Sequence, residues 1–324
     1  MKMNEVINVK DINICFLTDN GYVMQTCVAI YSLLKNRSSE SKYNIYILCN
    51  DVSKKNKDFF SVMNGDNFKI NIIDLDFDKS FEKLDKDVPA SPTAICKFQI
   101  PNILSHLDRV LYLDGDIIIN KDLFELYNVD LQKKYIGAIK DTSGLSRSLY
   151  NLFIKKNIFY FNSGVMVMDL KKMRENHISD KLIDYRIHGY NDLMDQDSLN
   201  YVLNKNVLEL PFMYNTQLMF STITHSDVNS LKKYFHLSDK YSSISSILND
   251  AYIIHYSGKK KPWKHLDGCQ HDLWFEFYKK CPYGVNELKR VKYDKKKKNI
   301  SMKIKEKITN LKRYFFMLNF TNEK

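Results

Sequence analysis

An apolar run broken by two carboxylates limits the folds open to this chain more than any other stretch. Val110-Leu-Tyr-Leu113 and Ile117-Ile-Ile119 flank Asp114, Gly115 and Asp116. A strand without polar alternation needs cover on both faces, as in a sheet sandwiched between helices. The two acids then stand at the tip of a buried strand. Carboxylates one residue apart repel each other and lose hydration there, so a partner must offset them. A hard divalent cation is the simplest partner, because it takes carboxylate oxygens as ligands. Gly115 has no side chain and lets a bulky ligand approach the backbone. The competing reading is a turn with two solvated acids, and the apolar flanks argue against it.

The rest of the chain alternates in the way such a sheet needs. Ile12–Leu17, Tyr43–Cys49 and Phe68–Leu75 read as strands, with helices predicted over Met24–Leu34 and Lys54–Met63 between them. Thr93–His106 is expected to be helical despite Pro101, which can kink or divide it. Further strands are expected at Tyr135–Lys140, Val165–Leu170 and Ala251–Tyr256, and a helix at Gln196–Leu203. This alternation predicts a doubly wound α/β sheet of Rossmann type, with the ligand site at the carboxyl ends of its strands.

With 324 residues and 44% hydrophobic content, the chain can bury a sizeable core. The N-terminus shows no secretory signal, and no run reaches the length of a membrane span. Cys15, Cys27, Cys49, Cys96, Cys269 and Cys281 have no paired spacing, which favours buried thiols over disulfides or zinc. A cytoplasmic location is therefore expected. The net charge of +11 is concentrated at the C-terminus, where residues 289–324 hold 13 Lys or Arg against Asp294, Glu306 and Glu323. A nearly neutral body argues against nucleic acid as a partner, and a basic tail argues for an anionic surface.

Five motifs occur in a telling order. They are F-L-T-D-N-G-Y (residues 16–22), V-L-Y-L-D-G-D (110–116), F-N-S-G-V (161–165), D-Q-D (195–197) and H-Y-S-G-K-K-K-P-W (255–263). In this order they resemble glycosyltransferase family 8, which includes glycogenin and bacterial lipopolysaccharide galactosyl- and glucosyltransferases. The resemblance runs from about Ile12 to Trp274. It implies a GT-A fold over residues 1–288, a UDP-sugar donor, Mn²⁺ (or Mg²⁺) as cofactor and retention of anomeric configuration.

Carried over residue by residue, the resemblance implies these roles. Thr18, Asp19 and Tyr22 would hold the uridine, although Gly21 stands where family members often have Asn. Asp114, Asp116 and His255 would ligate the metal, with Asp114 and Gly115 also meeting the donor. Gly258 would bring backbone N–H groups to the diphosphate and Lys261 would neutralise its charge, while Trp263 reads as packing. Asn162 and Ser163 would contact the donor sugar, and Gly164 fits a close backbone approach. Asp195 and Gln196 would act at the sugar, as catalytic residues. Lys97 departs from the family, which often reads Y-x-R-x-x-x-P where this chain has Cys96-Lys97-Phe98-Gln99-Ile100-Pro101. Lysine keeps the charge of arginine but not its bidentate grip.

Retention by two carboxylates would need a nucleophilic acid beneath the anomeric carbon. The amide of Gln196 stands at the family's candidate position, which favours front-face attack, with Asp195 or Asp197 as the alternative nucleophile. In the tail, Ile304, Ile308, Leu311, Phe315 and Leu318 recur at helical spacing. Lys303, Lys305, Lys307, Lys312 and Arg313 fill the other face. Such a helix over part of residues 289–324 suits the anionic inner face of a membrane, as expected of an enzyme that extends a glycan or glycolipid. A tail docked on its own body is the alternative. Truncation after Leu288 is expected to leave an active body. Two further functions compete: a catalytically inactive UDP-sugar or glycan-binding protein, and a sugar nucleotidyltransferase. The second lacks support, because residues 16–34 hold no Gly- and Arg-rich phosphate loop.

Overall fold

Strand β1 (Lys10–Asp19) shows how this sequence folds. Its side chains alternate, so Ile12, Ile14 and Phe16 enter one core while Cys15 and Leu17 enter another. All five are 6% exposed or less. A strand wanted on both faces must sit inside a two-sided sheet, and β1 does so, between parallel neighbours β2 (Ser41–Asn50) and β4 (Arg109–Leu113). The computed structural model describes residues 10–75, 92–146, 149–189, 194–219, 227–285, 288–292 and 308–318.

Among these residues the main sheet has seven strands in the order β3-β2-β1-β4-β7-β6-β8, with β3 at Phe68–Asp74, β6 at Ile136–Lys140, β7 at Phe161–Asp169 and β8 at Val207–Glu209. β1 to β4 are parallel, β7 runs antiparallel to β4 and β6, and β8 is parallel to β6. Helices cover both faces. On the first, α1 (Val23–Asn36) buries Val23, Cys27, Val28, Ile30 and Leu33. On the second, α3 (Pro92–Ile103), α4 (Ile178–His188) and α5 (Met194–Leu203) contribute Phe98, Ile100, Leu182, Leu199 and Leu203. Helix α2 (Lys54–Ser61) joins β2 to β3, opening on Ser53, whose hydroxyl accepts from the Asn56 N–H.

The expected elements are present with shifted ends. The run 110–119 is not one strand. It divides into β4 of the main sheet and β5 (Ile117–Ile119) of a second sheet, ordered β5-β10-β9, with β9 at Thr216–Gln217 and β10 at Ile253–His255. Asp114-Gly115-Asp116 is the step between the two sheets. Each apolar half pairs with different neighbours, so the chain must bend where the acids stand. Pro101 lies inside α3, and the cysteines are free thiols. Burial pushes the Cys96 thiol up to about 12, which leaves it protonated.

The basic tail contains a helix over residues 308–318, here α6. Its two faces differ. Ile308, Leu311 and Phe315 are 52%, 62% and 56% exposed, whereas Met317 is fully buried and Phe316 and Leu318 pack against the main core. Arg313, assigned from sequence to the solvated face, is buried. Ile304 and the lysines from Lys303 to Lys307 lie outside the described residues. Among the described residues no helix is long and apolar enough to cross a membrane.

Candidate active site

The strand register assembles the acid cluster. β5 and β10 pair antiparallel with Ile117 opposite His255, and the Tyr256 N–H donates to the Asp116 carbonyl at 2.9 Å. His255 is thereby fixed beside Asp116, although the two lie 139 positions apart in the chain. Its Nε2 is 3.2 Å from Asp116 Oδ1 and 3.9 Å from Asp114 Oδ2. One ligand atom from each of the three residues falls within 4.8 Å of the others. The tautomer follows from the far side of the ring. Asn215 donates its Nδ2 to Asn162 Oδ1 (2.9 Å), which makes Asn215 Oδ1 the acceptor for His255 Nδ1–H, also at 2.9 Å. With Nδ1–H spent on Asn215, Nε2 is the ring atom that faces the acids.

Each acid has its own partners. Tyr112 donates its hydroxyl to Asp114 Oδ1 at 2.7 Å, and Lys97 Nζ lies 3.4 Å from the same oxygen. Lys261 Nζ donates to Asp116 Oδ2 at 2.6 Å. Burial pushes the Asp116 carboxyl up, but Lys261 and His255 outweigh it and hold it well below the usual carboxylate range. Lys97 shows the mirror case. Burial works against its charge, yet Asp114 and Asp195 keep its pKa above the ordinary lysine value. Its Nζ meets Asp195 Oδ2 at 2.7 Å and the Ser163 carbonyl at 3.2 Å.

These side chains surround a cavity of about 560 Å³. Of the residues singled out from the sequence for the site, these line it: Thr18, Asp19, Tyr22, Lys97, Asp114, Gly115, Asp116, Asn162, Ser163, Asp195, Gln196, His255, Gly258 and Lys261. Asp197, the alternative nucleophile, is fully buried and bonded to Tyr160 instead. Gln196 is clamped. Its Oε1 accepts from Asn162 Nδ2 (3.1 Å) and the Ser163 N–H (3.2 Å), and its Nε2 donates to Asp141 Oδ2 at 3.2 Å.

The first loop is an Asx turn, with the Gly21 N–H donating to Asp19 Oδ1 at 2.9 Å. Tyr22 packs edge-on to Trp263 at 5.9 Å, and Trp263 is 7% exposed, as a packing residue should be. Burial, then Asp116, Asp114 and Asp19, raise the pKa of the Tyr22 hydroxyl and keep it a neutral donor. Two glycines have roles other than meeting a ligand. A Cβ on Gly115 would lie 2.6 Å from Thr26 Oγ1, so the bare backbone makes room for α1. A Cβ on Gly164 would lie 2.5 Å from His255 Cε1 and 2.7 Å from Asp114 Oδ2, so the close approach is by the acid cluster itself.

Sequence reasoning missed Asp141, Tyr112, Asn215 and Gln217. Asp141 follows the apolar strand β6, the same strand-tip signal that revealed Asp114, and it orients Asn162 as well as Gln196. Asn215 and Gln217 sit around the two-residue strand β9, too short for a periodic signal. Five aspartates and two lysines line the cavity, a net acidic lining in which a bound cation would favour an anionic ligand. The carboxylate and imidazole donors fit Mn²⁺ or Mg²⁺, with the nitrogen favouring the softer ion.

Comparisons with known proteins agree with this geometry. Residues 13–267 match the glycosyl transferase family 8. A putative glycosyltransferase of Haemophilus influenzae is 26% identical over 310 residues, covering 86% of each chain. The lipopolysaccharide 1,2-glucosyltransferase of Escherichia coli is 30% identical over 161 residues, which are 48% of this chain and 44% of that enzyme. Among solved structures, the galactosyltransferase LgtC in complex with donor and acceptor sugar analogues superposes with a TM-score of 0.66 at 24% identity, over 82% of this chain and 95% of LgtC. That likeness gives the fold, which is GT-A. With the match spanning most of its length, the chain belongs to glycosyl transferase family 8 and is a glycosyltransferase.

Proposed function

We propose that this protein transfers a hexose, glucose or galactose, from a UDP-sugar to a glycan or glycolipid acceptor with retention of configuration, in the synthesis of a surface polysaccharide or lipooligosaccharide. The observation that carries the reading is the convergence of Asp114, Asp116 and His255 in the wall of a net acidic cavity. The donor and acceptor analogues named for LgtC, and the lipopolysaccharide product named for the Escherichia coli relative, support the substrate classes.

Asp114, Asp116 and His255 would hold Mn²⁺, which supplies Lewis-acid stabilisation of the departing diphosphate. Lys261 is placed to release Asp116 and meet phosphate charge once the cation is there. The Thr18–Tyr22 loop would hold uridine, and Gly258, with φ of +91°, turns its backbone toward the cavity as a side-chain-bearing residue rarely can. Lys97, Asp195, Asn162 and Ser163 would fix the sugar hydroxyls. The acceptor hydroxyl attacks on the face UDP leaves. The anomeric C–O bond to UDP breaks, the new glycosidic bond forms, and the hydroxyl proton passes to a UDP phosphate oxygen. The Gln196 carbonyl dipole, clamped by Asn162 and Ser163, would stabilise positive charge on the sugar ring.

The exposed stripe of Ile308, Leu311 and Phe315 on a basic tail supports peripheral attachment to an anionic membrane at the cytoplasmic face. The deciding experiment is UDP-sugar hydrolysis across a donor panel with Mn²⁺, paired with calorimetry of UDP with and without the ion. Hydrolysis of one UDP-hexose and Mn²⁺-dependent UDP affinity are expected. Equal UDP affinity in chelator, or UDP binding without turnover of any donor, would sink the metal role or the catalytic role respectively.

A further inference from the structure

Arg313 behaves unlike its neighbours in the basic tail. Lys312 beside it is exposed, whereas Arg313 is 8% exposed. Its guanidinium lies 5.1 Å from the centroid of the Tyr160 ring, and its Nη1 is 3.5 Å from Asp197 Oδ1. Tyr160 donates its hydroxyl to the same oxygen at 2.5 Å. Asp197 is fully buried, follows Gln196 directly and stands two residues beyond Asp195 on the first turn of α5. Arg186 of α4, also buried, is a second cation that interacts with Asp195 and Asp197. Asp141, which holds the Gln196 amide, is near enough to Arg313 to interact with it electrostatically.

Packing alone does not require this arrangement. Met317 is fully buried one turn further on, and Phe316 and Leu318 pack beside it, so the tail helix already has an apolar anchor. Burying a guanidinium costs desolvation that another apolar residue would avoid. The charge goes to the acid whose neighbours line the donor cavity. We propose that Arg313 is a positioning residue: through Asp197 it fixes the first turn of α5, and so the placement of Asp195 and Gln196 against the donor sugar. This rests on the sugar-binding role given above to that pair. A boundary drawn at Leu288 from charge alone leaves Arg313 outside the catalytic unit, whereas its contact with Asp197 puts it inside. Truncation after Leu288 then lowers turnover as well as removing the basic charge.

The test compares wild type, Arg313→Ala, Arg313→Lys and Met317→Ala in the full chain. Three quantities are read: UDP-hexose hydrolysis, UDP affinity with Mn²⁺, and amide exchange over residues 194–200. In Arg313→Ala, kcat should fall by up to about 100-fold, the scale of a small misplacement of positioning groups. UDP affinity should stay unchanged and exchange at the start of α5 should rise. Arg313→Lys should restore part of kcat, since charge is kept and the planar fork is lost. Unchanged kcat in Arg313→Ala, or unchanged exchange at 194–200, overturns the proposal. So does a parallel loss of kcat and UDP affinity matching Met317→Ala, which would make Arg313 an anchor only. If Arg313→Ala does not fold, a kcat for Arg313→Lys equal to wild type overturns it. Failure of the donor reading looks different: wild type then neither binds UDP nor hydrolyses any UDP-sugar, while the exchange arm still reports on Arg313.

Discussion

Two of the chain's D-x-D runs, at 114–116 and 195–197, bear on the site, and they do opposite things. Asp114 and Asp116 converge with His255 on one point. Asp195 and Asp197 diverge, the first to Lys97 in the cavity and the second to Tyr160 and Arg313 behind it. Backbone geometry explains the difference. The first pair lies at the bend between β4 and β5, where both carboxylates turn toward His255. The second pair lies on the opening turn of α5, where residues two apart do not face each other. One spacing therefore gives a converging acid pair at a strand tip and a two-sided brace on a helix.

The largest effect should come from the converging pair. Asp116→Ala removes a ligand and leaves Lys261 without its acid, so transfer should fall by at least about 10²- to 10³-fold, the loss seen when one transition-state electrostatic group is removed. Thermal stability should change little, because Lys261 also donates to the Tyr256 carbonyl at 2.7 Å. A steady-state assay beside a melting curve checks this. Residual activity near wild type would make Asp116 a structural acid and erase the contrast between the pairs.

The diverging pair should split its effects. Asp197→Ala leaves Tyr160 and the Arg313 guanidinium buried without their carboxylate. Removing one partner of a buried pair costs about 3–5 kcal/mol, which denaturant unfolding would detect. Asp195→Ala should lower kcat with a smaller change in stability, since Lys97 keeps Asp114 and Ser163 as partners. If the two substitutions had equal effects on stability and turnover, the helix would not divide the roles as its geometry implies.

How much of this was legible depended on periodicity. Asp114 and Asp116 stand out at the end of an apolar strand, whereas His255 owes its role to the resemblance to the family, and all three meet in the site. Asp141 carries the same strand-tip signal after β6, with no second acid beside it. The division of residues 110–119 between two sheets was not legible, because an apolar run does not say which neighbour pairs with each half. Arg313 was illegible for a deeper reason. An arginine in a run of lysines has the local pattern of a solvated face, and its contact with Asp197 spans 116 positions. Desolvation and one distant carboxylate decide its place, and neither leaves a trace nearby in sequence.

A smaller effect is expected at Lys97, which bridges the two acid pairs through Asp114 and Asp195. Lys97→Arg should remain active and lower the Michaelis constant for donor, because a guanidinium can engage two oxygen partners at once. The opposing term is overpacking at a buried position, which costs about 1–3 kcal/mol and should appear in the melting temperature. Complete inactivity would mean that a point charge, not a fork, is what Asp114 and Asp195 require.

The smallest effect on chemistry should come from the outer face of α6, and it sharpens the contrast with Arg313 on the inner face. Ile308, Leu311 and Phe315 lie on the side opposite Arg313 and Met317, so one helix faces both solvent and core. Each basic residue close to an anionic surface contributes roughly 1 kcal/mol, and an apolar stripe adds buried area in the interface. Replacing Leu311 and Phe315 together by Ser should weaken co-sedimentation with anionic vesicles and leave turnover of a water-soluble acceptor unchanged. Arg313→Ala should do the reverse. Binding of the unmodified protein should fall as salt rises, since the Debye length shortens from about 30 Å at 0.01 M to about 8 Å at 0.15 M. Full-length protein that ignores anionic vesicles at low salt would leave the outer stripe to a protein partner, and the inner contact with Asp197 would stand unaffected.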